Sequence, residues 1–386
     1  ELKKKKFFEI MSSSSSNVIL ATAGYDHTIR FWEAPTGVCY RTIAHPDSQV
    51  NKLCITPNAQ YVCAAGNPLV KLFDAASSNP NVISTFEGHT SNVTGVGFHK
   101  DTKWMYTGSE DETARIWDLR SPRRSKQEFD CGSAVNAVAL HPNHNEMVVG
   151  LQNGRIGVCN LSTGKFSGTF SPGGESAIRS LSISANGKML AAANNLGWCF
   201  LFHMENADCA KMKLVQALQA HKTYILTAKF SPDAKLLATT SADKTVVLWK
   251  LTSPDNVSLS LPSQPSRRSM TIGSKPTSLS SSADSMLSAS SSGESALSVQ
   301  PAAAHNKVLP TLSPPASGLP VLQKSNITLK GHKKWVWDCC FSADSAYIIT
   351  ASSDQIAKLY EVSGGDVLRH YSGHQKAITC VALRDW

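Results

Sequence analysis

Short segments in which apolar and polar residues alternate make up most of the chain. Three such runs begin at Val93, Trp104 and Ala114 and end near Trp117. Turn-forming residues such as Ser231-Pro232-Asp233 separate comparable runs elsewhere. A period of two indicates β-strands with one buried face, and the runs are too short for amphipathic helices. The pattern therefore predicts an all-β protein of many short strands joined by turns.

The runs belong to a sequence repeat. Gly88-His89 is followed by the segment 108–111 and then by Ile116-Trp117-Asp118, and this order recurs after His221 and after His332. In each copy an acidic residue lies six positions before an aromatic one. The pairs are Asp26 and Trp32, Asp111 and Trp117, Asp243 and Trp249, and Asp354 and Tyr360. Degenerate copies keep the spacing with Asn67 and Phe73, Asn153 and Cys159, and Leu196 and Phe202.

Each repeat predicts four strands, which form one blade of a β-propeller. The segment from Val18 to Ile43 supplies only three strands, and the segment from Gly373 to Trp386 begins a further unit without completing it. Joining the two segments completes one blade and removes two exposed sheet edges. We therefore predict an all-β, seven-bladed WD-repeat β-propeller that is closed by N- and C-terminal strands in one blade.

The periodicity is interrupted once, by a segment rich in Ser and Pro with almost no aromatic residues. Such a segment cannot bury enough apolar surface to offset the entropy lost on ordering. We predict a flexible tail at 1–17, with Met11 as the biological start, and blades 1 to 6 (part) at 18–251. A disordered insertion in blade 6 follows at 252–325, and the remainder of blade 6, blade 7 and the closing strand at 326–386. Arg267-Arg268-Ser269 and the Ser-Pro pairs at Ser253 and Ser313 fit kinase targets, although a tolerated insert is the simpler interpretation.

Composition and charge exclude several classes of function. The net charge of +9 is scattered, apart from the run Lys3–Lys6, and such a terminal run is usually a solvated tail. We therefore expect no nucleic-acid partner. No apolar stretch approaches the roughly 18 residues of a membrane span, so we expect a cytoplasmic protein without an integral membrane span. The ten cysteines include no Cys-x-x-Cys pair, which predicts buried thiols rather than zinc ligands or disulfides.

Sequence signatures of catalysis are absent. The chain has no Gly-x-Ser-x-Gly, no His-Glu-x-x-His and no Walker loop. His141, His144 and Glu146 form a weak candidate for a metal site, but a His-Pro-Asn turn between strands needs no ligand. We therefore predict a protein that is not an enzyme, with no catalytic residues, no metal and no cofactor.

We expect the recurring acidic and histidine residues to stabilise the blades. A histidine before the inner strand can reach a second-strand Ser or Thr hydroxyl and the acid of the turn, and a Trp N–H completes the set. Each hydrogen bond contributes about 0.5–1.5 kcal/mol, whereas a buried polar group without a partner costs about 1–3 kcal/mol. The predicted structural residues are Asp26, Asp111, Asp243, Asp354, His89, His221, His332 and His374.

The mouth of the predicted ring is the candidate binding surface. Alternate residues at the start of each inner strand face this mouth, as do residues just before the turn acid. Trp335 and Trp337 flank Val336, which has the core parity, so both indoles are expected to be exposed on one face. An exposed indole pair is typical of a protein-binding hot spot, although packing of one ring on the neighbouring blade is an alternative. The predicted partner-binding residues are Trp335, Trp337, Tyr25, Gln49, Asn51, Asn92 and Tyr224; Thr94, Glu110, Asn136 and Arg179 also face the mouth.

Several stretches resemble one known family. They are the segments 25–32, 47–51, 104–120, 230–233, 351–354 and 373–377. The chain resembles the small WD-repeat subunits of the TOR kinase complexes, the GβL or LST-eight family, over about 18–251 and 326–386. The Ser-rich insertion departs from the compact family pattern. Cys159 and Phe202 also depart, because they replace the usual Trp and imply weaker blades 4 and 5.

The resemblance implies a non-catalytic scaffold that binds and stabilises the kinase domain of TOR in TOR complex 1 and TOR complex 2. It implies contact with other TOR complex subunits, support of TOR signalling and cell growth, and peripheral attachment to endomembranes through the kinase complex. The alternative is a substrate receptor of a cullin-RING ubiquitin ligase, because Trp117-Asp118-Leu119-Arg120 resembles the box by which such receptors bind a ligase adaptor.

Overall fold

The computed structural model of the protein describes residues 18–77, 79–122, 125–252 and 319–385. Within these ranges the chain forms seven antiparallel sheets of four strands each. Blade 1 contains β1 Ile19–Gly24, β2 Thr28–Trp32, β3 Cys39–Ala44 and β28 Ile378–Arg384. Blade 2 contains β4 Lys52–Ile55, β5 Tyr61–Ala65, β6 Val70–Asp74 and β7 Val82–Phe86. Blade 3 contains β8 Val93–Phe98, β9 Trp104–Ser109, β10 Thr113–Asp118 and β11 Ser125–Asp130.

The remaining sheets repeat this plan. Blade 4 contains β12 Val135–Leu140, β13 Glu146–Leu151, β14 Ile156–Asn160 and β15 Lys165–Phe170. Blade 5 contains β16 Ile178–Ile183, β17 Met189–Asn194, β18 Trp198–Met204 and β19 Met212–Gln219, with short 3-10 turns at Glu205–Ala207 and Cys209–Lys211. Blade 6 contains β20 Ile225–Phe230, β21 Leu236–Ser241, β22 Val246–Thr252 and β23 Val321–Leu329. Blade 7 contains β24 Val336–Phe341, β25 Tyr347–Ser352, β26 Ile356–Glu361 and β27 Val367–Ser372.

The up-and-down order of strands gives the ring two faces. The segments that precede the inner strands and the turns between second and third strands lie together on what we call the upper face. The turns between first and second strands and between third and outer strands lie on the lower face. The predicted rim residues therefore belong to the upper face. Thr252 and Val321, which flank the undescribed segment, are paired at the lower face.

The ring is closed by the two ends of the chain, as predicted. Strand β28 pairs with β1 antiparallel, and Leu20 lies opposite Leu383 and Thr22 opposite Val381. The all-β class, the seven blades and the closure in blade 1 are thus confirmed. Because the two terminal strands pair with each other, blade 1 has the same four strands as the other blades.

The core consists of apolar clusters between neighbouring sheets. Among the described residues there are seven clusters, one for each interface between adjacent blades. Phe31 and Ile43 of blade 1, for example, pack with Val62 and Phe73 of blade 2. Burial of apolar area contributes roughly 25 cal/mol per Å², so every blade depends on its two neighbours for stability.

Polar side chains of the inner strands add hydrogen bonds between blades. Thr379 Oγ1 donates to the carbonyl of Val50 at 2.5 Å, and Thr94 Oγ1 donates to the carbonyl of Val135 at 2.6 Å. Thr227 Oγ1 donates to the carbonyl of Trp337 at 2.9 Å. These bonds fix the start of one inner strand against the next, and they hold the rim of the upper face in place.

The outer strand of blade 6 begins earlier than expected. It starts at Val321, whereas the predicted insertion extended to residue 325. Leu322 is buried between blades 5 and 6, and its backbone forms two hydrogen bonds with the side-chain amide of Gln216, at 2.8 and 3.1 Å. Composition alone obscured this strand because its first residues pair with β22 across the long insertion and are held by Gln216 of blade 5. The remaining part of the predicted insertion, 253–318, and the predicted tail, 1–17 with Met11, lie outside the described residues.

Candidate partner-binding face

A hydrogen-bond network joins four residues in blade 3. His89 Nδ1 lies 2.7 Å from Asp111 Oδ2, and its Nε2 lies 2.7 Å from Thr107 Oγ1. Trp117 Nε1 donates to the same Thr107 hydroxyl at 2.8 Å. The acceptor at Nδ1 fixes the tautomer in which Nδ1 carries the proton, so Nε2 accepts from the threonine hydroxyl. Every polar atom of the set has a partner, which makes the network a brace of the blade.

The same arrangement occurs in blades 1, 6 and 7. The sets are His374, Asp26, Thr22 and Trp32; His221, Asp243, Thr239 and Trp249; and His332, Asp354, Thr350 and Tyr360. Tyr360 has no indole, and its hydroxyl instead donates to the carbonyl of Lys330 at 3.2 Å. Burial disfavours ionisation of Asp26 and Asp354, but their hydrogen bonds, above all those from His374 and His332, together outweigh it and hold both pKa values at about 2.

Blades 2, 4 and 5 do not contain the complete four-residue network. The threonine stands ten positions before the aromatic residue in the complete blades, and Cys63, Val149 and Ala192 replace it in the others. His45 in blade 2 keeps its place, but its buried Nε2 has no hydrogen-bond partner among the described residues. In these three blades the indole donor and the hydroxyl that would accept from it are lost together, whereas blade 7 lacks the indole but keeps Thr350, which bonds His332.

Four aromatic rings form a continuous cluster on the upper face of blades 6, 7 and 1. Trp335 and Trp337 have ring centroids 5.8 Å apart. Trp337 contacts Tyr25 edge-on at 6.3 Å, and Trp335 contacts Tyr224 edge-on at 6.2 Å. Such edge-to-face pairs are favourable beyond simple area burial. We call these four residues the aromatic cluster.

The two tryptophans differ in exposure, which corrects the expectation that both indoles are exposed. Trp335 is 37% exposed, whereas Trp337 is half-buried. The Trp337 ring lies between Trp335 and Tyr25, and its indole N–H donates to Ser353 Oγ at 2.6 Å. The parity of the strand correctly placed both side chains on one face, but neighbouring blades determine their depth. Trp337 therefore serves as a fixed support on which the exposed Trp335 rests.

Polar rim residues are paired within blades 4 and 5. Asn136 Nδ2 donates to Gln152 Oε1 at 3.0 Å, and Arg179 Nε donates to Asn195 Oδ1 at 2.7 Å. Like Trp337 and Ser353, each pair joins the start of an inner strand to the residue before a turn, sixteen positions later. Burial lowers the pKa of Arg179, opposed by the neighbouring Glu110. This pairing of rim residues within a blade was not predicted from the sequence.

The other predicted binding residues lie on the same face in blades 2 and 3. Asn92 Nδ2 donates to Glu110 Oε2 at 2.8 Å, and Asn51 Nδ2 donates to the carbonyl of Val93 at 3.2 Å. Gln49 is half-buried beside Ser48. Among the described residues, no side-chain hydrogen bond joins these three residues to the aromatic cluster. The structure thus brings together Tyr25, Tyr224, Trp335 and Trp337, and places Gln49, Asn51 and Asn92 elsewhere on the rim.

Inside the ring, an ion cluster is centred on Asp338. Lys52 Nζ lies 2.9 Å from Asp338 Oδ2, and Lys229 Nζ lies 3.9 Å from Asp338 Oδ1. In the part of the chain that the structure describes, no group of three or more His, Cys, Asp or Glu residues is arranged to hold a metal ion, and all ten cysteines are free. The described residues also contain no helix long and apolar enough to cross a membrane.

The WD domain, G-beta repeat family matches residues 9–33, 37–74, 80–118, 212–250 and 323–361. These matches correspond to blades 1, 2, 3, 6 and 7. Blades 4 and 5 lie between these matches, and blade 2 is matched although it also lacks the threonine and the tryptophan of the network. Together with the seven four-stranded sheets, the matches define the chain as a WD-repeat β-propeller.

Curated relatives narrow this class to one family. The chain is 46% identical over 240 residues to "Target of rapamycin complex subunit LST8-1" of Arabidopsis thaliana, covering 62% of this chain and 78% of that protein. It is 45% identical over 240 residues to "Target of rapamycin complex subunit LST8" of Mus musculus, covering 61% and 73%. It is 44% identical over 234 residues to "Target of rapamycin complex subunit wat1" of Schizosaccharomyces pombe, covering 60% and 74%. The chain belongs to the LST8 family.

The ubiquitin-ligase alternative has no support in these comparisons. Asp118 and Arg120 of the box lie at the turn after β10 on the lower face. The side chain of Arg120 is 79% exposed and forms an ion pair with Asp118 at 2.7 Å. A local ion pair of this kind needs no partner protein, so the geometry gives the ligase alternative no further weight.

Proposed function

We propose that this chain is a non-catalytic scaffold subunit of target of rapamycin complexes and that it binds and stabilises the TOR kinase domain. The names of relatives from a plant, a fission yeast and a mammal support the assignment to such a complex. The observation that carries the kinase-binding part is the aromatic cluster, which spans three blades of one face.

The cluster has the properties of a binding hot spot. Trp335 offers an exposed indole surrounded by polar residues, and hot spots are enriched in Trp and Tyr. Trp337 is held by Ser353 and Tyr25, so little side-chain freedom is lost when a partner docks. Because the surface is a rim of side chains with structural hydrogen bonds, it suits a protein segment better than a small molecule.

The proposal includes the complexes to which the chain belongs and its location in the cell. As a subunit shared by TOR complex 1 and TOR complex 2, the chain acts in the cytoplasm and reaches endomembranes through the kinase complex. Its contribution to TOR signalling and cell growth is then mechanical, because it orders the kinase and supplies no catalytic group.

The test is the affinity of purified full-length chain for a purified TOR kinase domain. Trp335→Ala is expected to weaken binding by about 2–4 kcal/mol, or roughly 30- to 1000-fold, because it removes the exposed anchor. Tyr40→Ala is the matched control, since Tyr40 is 56% exposed but lies on β3 near the lower face. Equal affinity of the wild type and a correctly folded Trp335→Ala variant would overturn the assignment of this site, and absence of binding by the wild type would overturn the proposed function.

A further inference from the structure

Charge on the upper face is divided between two halves of the ring. Blades 6, 7 and 1 carry six exposed lysines there: Lys222, Lys244, Lys330, Lys333, Lys334 and Lys376. On the same face, blades 2 to 5 carry one exposed cation, Arg155, and five exposed acids: Asp47, Glu87, Glu112, Asp130 and Glu175. The two halves of one surface therefore have opposite electrostatic character, although the net charge of the whole chain is only modestly positive.

The cationic half coincides with the aromatic cluster. Lys334 precedes Trp335 directly, and Lys222 lies two residues before Tyr224. The backbone N–H of Tyr25 donates to the carbonyl of Ala377 at 2.9 Å, so the segment that contains the exposed Lys376 runs next to Tyr25. Cations thus border the aromatic cluster in all three of its blades.

These lysines are available to a partner. None of the six forms an ion pair with another described residue, whereas Asp47 in the acidic half is paired with Lys71. The acids of the same three blades, Asp26, Asp243 and Asp354, are engaged by histidines, and their side chains are only 5%, 25% and 6% exposed. These three carboxylates lie beneath the surface and reduce the local positive potential, but the charged side chains that solvent reaches on these blades are lysines.

We infer that the segment docking on the aromatic cluster is an acidic polypeptide, in which Asp or Glu residues flank an apolar side chain. This inference rests on the proposed function and deepens it by naming the chemistry of the kinase segment that is recognised. The apolar side chain covers Trp335, and the carboxylates face the surrounding lysines. Complementary charge of this kind raises the association rate and selects the partner more than it raises affinity.

The acidic half of the face argues against other polyanions. A nucleic acid or an anionic bilayer extends across the whole upper face, so it would meet Glu87, Glu112 and Asp130 as well as the lysines. Like charges brought together in this way oppose association. A short acidic segment confined to blades 6, 7 and 1 avoids that repulsion, and its apolar side chain makes use of the indole that a polyanion would leave uncovered.

The experiment compares two charge-reversal variants of the full chain. The upper-face variant carries Lys222→Glu, Lys333→Glu, Lys334→Glu and Lys376→Glu. The control carries Lys103→Glu, Lys165→Glu, Lys188→Glu and Lys235→Glu, four exposed lysines of the lower face, so the change in net charge is identical. Association with a purified TOR kinase domain is measured at several salt concentrations, and circular dichroism and thermal unfolding verify the fold.

We expect the upper-face variant to associate about 10- to 100-fold more slowly and to lose the salt dependence seen with the wild type. The control is expected to remain close to the wild type. If the upper-face variant associates as fast as the wild type with the same salt dependence, the inference is overturned while the proposed function stands. If the wild type itself does not bind the kinase domain, the proposed function fails.

Synthetic probes test the chemistry independently of the kinase. They are a peptide with Phe and Leu flanked by Glu and Asp, the same peptide with Lys in place of every acid, a single-stranded oligonucleotide, and phosphatidylserine vesicles. The acidic peptide alone is expected to bind the wild type, and its binding is expected to disappear in the upper-face variant. Tighter binding of the basic peptide, the oligonucleotide or the vesicles would overturn the inference.

Discussion

Asp338 and Lys52 form an ion pair across the blade that closes the ring. Their side chains belong to the inner strands of blades 7 and 2, and the 2.9 Å contact bridges the inner strand β28 of blade 1. The same carboxylate oxygen accepts the backbone N–H of Val381 in β28 at 3.3 Å. Burial disfavours the charged carboxylate, but Lys52 and Lys229 outweigh it and hold the pKa of Asp338 below its ordinary value. The pair therefore fastens the C-terminal strand in place.

Asp338→Ala is expected to destabilise the ring. Removing one partner of a buried ion pair typically costs about 3–5 kcal/mol, and we expect about 2–3 kcal/mol here because the Lys52 side chain is 25% exposed. Urea denaturation measures the free energy of unfolding. Lys211→Ala serves as the control, because its pair with Asp208 is exposed and contributes less than about 1 kcal/mol. If the unfolding free energy falls no more than in the control, the ion pair between Asp338 and Lys52 does not stabilise the ring.

The contribution of Asp338 also depends on pH in a defined direction. Its pKa is lower in the folded state than the value of about 3.9 in an unfolded chain. The carboxylate therefore stabilises the fold above that value, and the stabilisation is lost as the pH falls through the lower folded pKa. The stability difference between the wild type and Asp338→Asn is expected to be level between about pH 5 and 7 and to shrink below about pH 4. A difference that grows on acidification would contradict this assignment.

Thr107→Val tests the network of blade 3. The substitution leaves Trp117 Nε1 and His89 Nε2 without their common partner in a buried site, so a loss of about 2–3 kcal/mol in unfolding free energy is expected. Val149→Thr is the reciprocal control, because Val149 is the residue that blade 4 has at this position. Cys131 and Cys159 occupy the positions of the network's His and Trp in blade 4, so the new hydroxyl meets neither of those partners, and we expect that change to destabilise as well. A neutral result for Thr107→Val would mean that the network is not a brace.

The number of blades and the closure of the ring were predictable from the repeat in the sequence. The burial of individual side chains and the start of individual strands were not. The spacing from Asp111 to Trp117 recurs because every blade repeats the same turn and third strand, so the repeat reveals the number of blades and their closure. The depth of Trp337 depends on Ser353 and Tyr25, which belong to a turn and to another blade. The start of β23 at Val321 depends on Gln216 of blade 5. The pair of Lys52 and Asp338 joins positions 286 residues apart, and no local pattern contains that information.

Ser353→Ala tests whether Trp337 acts as a fixed support. The serine hydroxyl accepts the indole N–H at 2.6 Å, so its removal frees the ring on which Trp335 rests. We expect affinity for the TOR kinase domain to fall about 3- to 10-fold, as one hydrogen bond of about 0.5–1.5 kcal/mol is lost. Thermal stability is expected to change little, and Ser353→Thr is expected to restore binding because it keeps the acceptor. If alanine and threonine variants bind alike, the hydrogen bond does not position the site.

Two deletions distinguish the insertion from the strand that follows it. Thr252 and Val321 are partners in the register of β22 and β23, so a short Gly-Ser linker can replace 253–318. Shortening this loop lowers the entropic cost of closing it by up to about 2–3 kcal/mol, so we expect unchanged or slightly higher stability. Kinase affinity is expected to be unaffected, because both ends lie at the lower face, opposite the aromatic cluster.

A deletion of 253–325 removes Leu322, which is 3% exposed, together with its two bonds to Gln216. Burial of such a side chain contributes about 1.5–3 kcal/mol, so the protein with the longer deletion is expected to be less stable by at least that amount. Equal melting temperatures of the two deletion variants would show that residues 321–325 do not contribute to stability.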